Sequence, residues 1–312
     1  MSMDPVVLFF ILGVVARLAK SDLRLPEGLY ETLSIYLLLA IGLKGGVELA
    51  KHPLATVAPQ AIAIVAMGLL LPLLAYPVLK FWGRLSNFDA AAIAAHYGSV
   101  SVVTFAVGLA FVTKRGIPYE EYMPLFVALL EVPGIVVGIL LARLHTLKSV
   151  RWGELAHEIM FGKSVVLLVG GLAIGWLAGP QGIDPMRGLF FDLFKGVLAL
   201  FLLEMGLVAA SRLGDLKRSG PFLIGFGLLI PIVFSFIGAG LGTLIGLSLG
   251  GTTLLAVLAA SASYIAAPAA IRIAIPEANP SLSIGAALGI TFPFNLTLGI
   301  PLYFEIAKML HK

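Results

Sequence analysis

Apolar residues run through this 312-residue chain in long blocks, set apart by short polar stretches. A helix needs roughly 20 such residues to cross a bilayer. On that measure the pattern predicts ten transmembrane spans, at about 5–20, 28–50, 54–82, 88–113, 121–145, 159–179, 187–212, 220–248, 252–274 and 281–308. The third carries Pro59, Pro72 and Pro77 and is expected to kink or tilt. One substantial polar connection, Leu144–Lys163, holds His145, Lys148, Arg151, Glu154, His157 and Glu158. It divides the chain into a first set of five spans (1–145), a cytoplasmic linker (146–158) and a second set of five (159–312).

Two stretches disturb the apolar pattern from within. In Leu258–Ala274 the run contains Ser261, Ser263, Tyr264 and Pro268. Proline has no N–H, and its ring clashes with the preceding turn. A broken helix in hydrocarbon survives only inside protein or beside a water-filled cavity. The Ser-x-Ser spacing has an earlier copy, Ser99 and Ser101, 162 residues upstream. Other matches keep the same order: Ile41-Gly42-Leu43 with Met205-Gly206-Leu207, Ile117-Pro118 with Ile275-Pro276, and Val132-Pro133 with Phe292-Pro293. An internal repeat of five spans must enter the membrane in opposite senses, because five is odd. The expected fold is therefore all-α and polytopic, with two inverted five-helix repeats. Broken helices four and nine would cross at the midplane, a construction typical of secondary transporters.

Composition agrees. The chain is 59% hydrophobic and 12% charged, with mean hydropathy +1.03, whereas soluble domains carry about a quarter charged residues. The net charge of +4 is explained by basic loops and calls for no nucleic-acid partner. Thirteen Lys and Arg, among them Arg17, Arg84, Arg143, Lys148, Lys217 and Arg272, fall on one side of the ten-span topology. Six, among them Lys51, Lys114 and Arg187, fall on the other. This bias places the protein in the cytoplasmic (inner) membrane with both termini outside and the linker inside. No basic n-region precedes the first apolar run, which is expected to be a retained helix. The chain has no cysteine, which removes disulfides, zinc-thiolate sites and thiol catalysis. HExxH, GxSxG and P-loop signatures are missing, and the five histidines do not cluster; an enzyme is not expected.

The polar residues inside the spans define the candidate chemistry. Gly98, Ser99, Ser101 and Thr104 in the fourth span, with Ser261 and Ser263 in the ninth, form the expected substrate site. Two half-helix N-termini meeting at one point would attract an anion, and hydroxyls donate hydrogen bonds without adding fixed charge. The same serines could instead back-bond within intact helices. His96 is suited to a structural hydrogen bond or to proton linkage. Glu131, beside Val132-Pro133, is an ionisable group at membrane depth and so a candidate for a coupling ion. Thr291 and Asn295 are polar and uncharged and can line the same cavity. Glu204 is a further intramembrane acid. Lys44 and Glu48, spaced i, i+4, are expected to pair, Arg272 to reach the cytoplasmic surface, and Gly238, Gly242 and Gly246 to serve close helix packing.

The motifs Ile41–Gly46, Gly98-Ser99-Val100-Ser101 with Thr104, Ala259–Ser263, Pro268, Arg272, Ile275-Pro276-Glu277-Ala278-Asn279-Pro280-Ser281 and Ile284-Gly285 resemble those of the sodium-dependent bicarbonate transporter family, SbtA type, over nearly the whole chain. The resemblance implies a homotrimer with an elevator-like cycle, Na+ as coupling ion, and a cytosolic regulatory partner related to PII proteins. It places the anion on Ser99, Ser101, Thr104, Ser261 and Ser263. The family carries an Asp where Tyr264 stands here, and an Asp where Glu131 stands. Glu131, Tyr264, Asn295 and Thr291 are the coupling-ion candidates, and no metal ligand set is assigned. The expected function is secondary active transport of a small anion, bicarbonate first. The alternatives are a proton-coupled carrier of small carboxylates and a non-transporting membrane receptor or regulatory subunit.

Overall fold

The computed structural model describes residues 4–26, 28–143 and 152–311, and all regular structure among them is helical. The first half contains α1 (Pro5–Leu18), α2 (Leu29–Leu49), α3 (Leu54–Pro77), α4 (Asn87–Gly98), α5 (Val102–Lys114), α6 (Met123–Leu130) and α7 (Pro133–Arg143). The second contains α8 (Trp152–Met160), α9 (Lys163–Ile183), α10 (Phe194–Leu244), α11 (Leu249–Ala259), α12 (Ala266–Ala274), α13 (Pro280–Ile284), α14 (Phe292–Phe294) and α15 (Ile300–Leu310). Among the described residues eight helical stretches are long and apolar enough to span a membrane. Two of the ten expected spans fall short of that length. The first, α1, has 14 residues, and the ninth is divided into α11 and α12.

Local chemistry sets these boundaries. Asp4 accepts a hydrogen bond from the Val6 N–H and Pro5 occupies the first helical position, so α1 starts there. The prolines of α3 stay within the helix, which passes into a wider turn over Val78–Trp82 directly after Pro77. The expected seventh and eighth spans are both present as the two arms of α10, Phe194–Ser211 and Gly220–Leu244, with a kink at Gly220, whose φ of 75° and ψ of 162° suit only glycine. Residues 280–310 form one rod in which wide turns alternate with α-helix. The expected linker contains a short helix, α8; the part of the linker before it, with Lys148 and Arg151, lies outside the described residues.

Two seams organise the packing. α1 lies along α10, and α2 along α9. Both seams depend on glycine pairs in backbone contact. A Cβ at Gly13 would stand 2.1 Å from the Leu203 carbonyl oxygen and 3.1 Å from Gly206 Cα. One at Gly42 would stand 2.6 Å from the Leu168 oxygen and 3.1 Å from Gly171 Cα. Apart from these seams, α4 packs on α3 and α7, while α11 packs on α10 and α15. Gly238 and Gly242 approach the α11 backbone closely, as the spacing predicts, but Gly246 does not: it lies past the end of α10 with φ 74° and nothing within 4 Å of its Cβ position, so it serves the turn into α11.

The fourth span sits at the centre. Its most apolar window within Asn87–Lys114 is wholly buried, with mean hydropathy 1.6; the window in Ala55–Trp82 is 39% buried, with mean hydropathy 2.4. A segment that touches no lipid can be less apolar and can carry unpaired backbone groups. Lys44 and Glu48 do not bond each other as the spacing suggests. Glu48 pairs with Lys51 at 2.7 Å, and Lys44 donates to the Tyr119 hydroxyl at 3.3 Å. Arg272 is exposed on α12.

Candidate functional site

The first interruption lies between α4 and α5. α4 ends at Gly98, and Ser99 and Ser101 take extended backbone angles before Val102 opens α5. Gly98 has a negative φ, so its service here is close approach: a Cβ would meet Pro72 at 2.7 Å and Gly134 Cα at 2.9 Å. The Ser99 hydroxyl donates to the Glu131 carbonyl at 3.0 Å. Ser101 Oγ accepts from the Thr104 N–H at 3.2 Å and from its hydroxyl at 2.9 Å, capping α5.

The second interruption spans 260–265, between α11 and α12. Pro268 lies in the first turn of α12, where its missing N–H costs no helical bond. The break therefore precedes the proline and owes its stability to partners from other helices. Asn295 donates from Nδ2 to the Ala260 carbonyl at 3.0 Å, and its Oδ1 accepts from the Tyr303 hydroxyl at 2.6 Å. Ser263 Oγ accepts from the Ala267 N–H at 3.2 Å.

The two interruptions are bonded to each other. The Ser101 N–H donates to Ser261 Oγ at 2.9 Å, and Ser261 donates onward to the Leu258 carbonyl at 2.8 Å. The Ser263 N–H donates to the His96 carbonyl at 2.8 Å, while His96 Nδ1 lies 2.7 Å from the Ser263 carbonyl and donates to it in that tautomer. His96 thus clasps the second break by both backbone groups of one residue.

A small cavity of about 10 Å³ lies where they meet, lined by Val100, Ser101, Val102, Glu131, Ser164, Ser263, Tyr264 and Ile265. Glu131 is 2% exposed, and its Oε2 has no hydrogen-bond partner. The Tyr264 hydroxyl faces Ser101, but no hydrogen bond closes between them. The starts of α5 and α12 border the same space, which puts two positive helix ends beside it. A larger cavity, of about 210 Å³, adjoins through Glu131, Ser164 and Ile265 and extends to Glu158 and Lys163. A third, of about 430 Å³, includes Lys44, Glu48, Lys51, Glu121, Asp184, Arg187, Asp192 and Lys195.

Of the expected site residues, Ser101, Ser263, Tyr264 and Glu131 reach the small cavity. Gly98, Ser99, Thr104 and Ser261 stand behind it and hold its walls. Thr291 and Asn295 are bonded elsewhere: the Thr291 hydroxyl donates to the Gly227 carbonyl at 2.7 Å and accepts from Tyr97, 2.6 Å away. Ser164 was not anticipated. It follows Gly162-Lys163 at the end of a polar linker, and nothing in that local pattern separates it from an ordinary helix start. Among the described residues no group of three or more His, Cys, Asp or Glu side chains comes together to hold a metal ion.

A search of curated proteins finds no match. A family model described as the Na+-dependent bicarbonate transporter superfamily matches residues 5–308. With apolar helices long enough to span a bilayer, and with a match over nearly its whole length, the chain belongs to the Na+-dependent bicarbonate transporter superfamily.

Proposed function

We propose that this protein is a secondary transporter that carries bicarbonate across the cytoplasmic membrane in company with Na+. The observation that carries the reading is the mutual bonding of two broken helices around a cavity rimmed by hydroxyls and helix starts. Such a rim favours an anion. Glu131 borders the same cavity, and a carboxylate beside an anion is repulsive unless a positive charge accompanies it. That requirement supports obligate coupling. A proton carried with bicarbonate is equivalent to carbon dioxide and water, which cross bilayers unaided, so a metal cation is the useful companion.

The seams support an inverted repeat. Gly13 and Gly171 are 158 residues apart, and Gly42 and Gly206 are 164 apart, offsets within the range that relates the other matched motifs. The Gly13–Gly206 contact is therefore the counterpart of Gly171–Gly42. The α1, α2, α9 and early α10 group would form one body, and the group bearing both breaks would slide against it. Both termini are read as outside and the α8 side as cytoplasmic. The homotrimer and the PII-like regulator rest on the family resemblance alone.

Uptake of labelled bicarbonate into proteoliposomes tests the function. An inward Na+ gradient is expected to drive accumulation. No uptake with or without the gradient would retire the bicarbonate reading. Flux of a small carboxylate driven by a pH gradient alone would instead identify a proton-coupled organic-anion carrier, and saturable binding without flux a receptor.

A further inference from the structure

The small cavity has one wall that belongs to neither interruption. Ser164 is the second residue of α9, which packs along α2 rather than among the helices that carry the breaks. It is 3% exposed, and its side chain reaches the Glu131 carboxyl group. Gly162, the residue before α9, offers no side-chain cap, so the first N–H groups of this 21-residue helix are unpaired by any capping side chain. Ser164 sets the start of this helix at the junction of the two adjoining cavities, which share Ser164, Glu131 and Ile265. Glu131 Oε2, buried and unpartnered at that junction, is the independent sign of a missing ligand.

We propose that Ser164 is a substrate-contacting residue, a hydroxyl supplied by α9 that completes the anion site from the opposite body. The inference rests on the transport reading and adds a residue to it. At about 10 Å³ the space holds about one water, so an anion of four heavy atoms requires a wall to move. Ser101 is bonded to Ser261, and Ser263 to His96, whereas Ser164 approaches from a different packing group. Separation of Ser164 from Glu131 widens this space into the adjoining 210 Å³ cavity beside Lys163. Return of the Ser164 hydroxyl onto the bound anion then seals it.

The natural absence of cysteine allows a direct test. In Ser164→Cys, a membrane-impermeant maleimide applied from the α8 side is expected to react slowly, and bicarbonate at constant Na+ is expected to slow it further; gluconate at equal ionic strength is not. In uptake assays Ser164→Ala is expected to raise KM about three- to ten-fold, the worth of one hydrogen bond, with Ser164→Thr restoring it. A Ser164→Ala protein with lowered melting temperature and unchanged KM would overturn the proposal. So would labelling indifferent to bicarbonate, which is also decisive if Ser164→Ala fails to fold. If wild-type protein shows no uptake while Ser164→Cys is still protected by bicarbonate, the transport reading fails and the site assignment stands.

Discussion

At the scale of single residues, the serines of the two breaks divide their labour. Ser101 and Ser263 each cap the helix that follows and face the cavity, so their removal touches both the scaffold and the ligand. Ser101→Ala and Ser263→Ala are each expected to cost about 0.5–1.5 kcal/mol per lost hydrogen bond. The uptake KM should therefore rise by up to roughly ten-fold; wild-type kinetics in both would remove them from the site. Gly134 is a sharper case. A Cβ there would lie 2.1 Å from the Gly98 carbonyl carbon, and backbone cannot yield as a side-chain tip can. Gly134→Ala is expected to destabilise by about 1–3 kcal/mol and to lower the melting temperature in detergent. Gly170, with nothing within 4 Å of its Cβ position, should accept alanine with a gain of up to about 1 kcal/mol.

At the scale of elements, what the sequence announced was incompatibility with a continuous apolar helix. Ser-x-Ser twice at a common offset, Gly98, and Glu131 beside Pro133 are all misplaced in a lipid-facing span, and all lie at the interruptions. What it could not announce was partnership across the chain. Asn295 reads as a polar cavity residue and is instead a brace for the Ala260 carbonyl. Ser164 reads as a helix start. Pro268 reads as the cause of the second break and sits just beyond it. The loop before α6 adds an approach that charge counting would have forbidden: the Glu121 carboxyl comes close to that of Glu48 of α2. Burial, and then the neighbouring Glu48, push the Glu121 carboxyl above its ordinary value of 4.5, against the pull of Lys44 and Lys51. A carboxyl raised in the folded state stabilises most below its unfolded value and loses that contribution as pH rises through the folded one. The melting temperature should accordingly fall across that interval in wild-type protein and stay nearly level in Glu121→Gln, whose amide does not titrate. Equal slopes for the two proteins would exclude the contact as their source.

At the scale of the whole molecule, the glycine seams bind α1 to α10 and α2 to α9, while the bonded breaks form a separate centre of rigidity. If these move as two bodies, fastening them together stops the cycle. Ser164 and Ile265 line both inner cavities from opposite sides. In the cysteine-free chain, Ser164→Cys with Ile265→Cys, bridged by a cleavable bifunctional thiol reagent, is expected to abolish uptake, and cleavage of the bridge to restore it. Full uptake in the bridged protein would rule out relative motion there. The complete enclosure of the fourth span carries a consequence for biogenesis. His96, Ser99 and Ser101 find their partners in Ser263, Glu131 and Ser261, and two of those three are made more than 150 residues later in synthesis. Until the ribosome delivers the ninth span, the nascent first half must hold its future centre against lipid or a membrane chaperone, so maturation of this transporter waits on its last quarter.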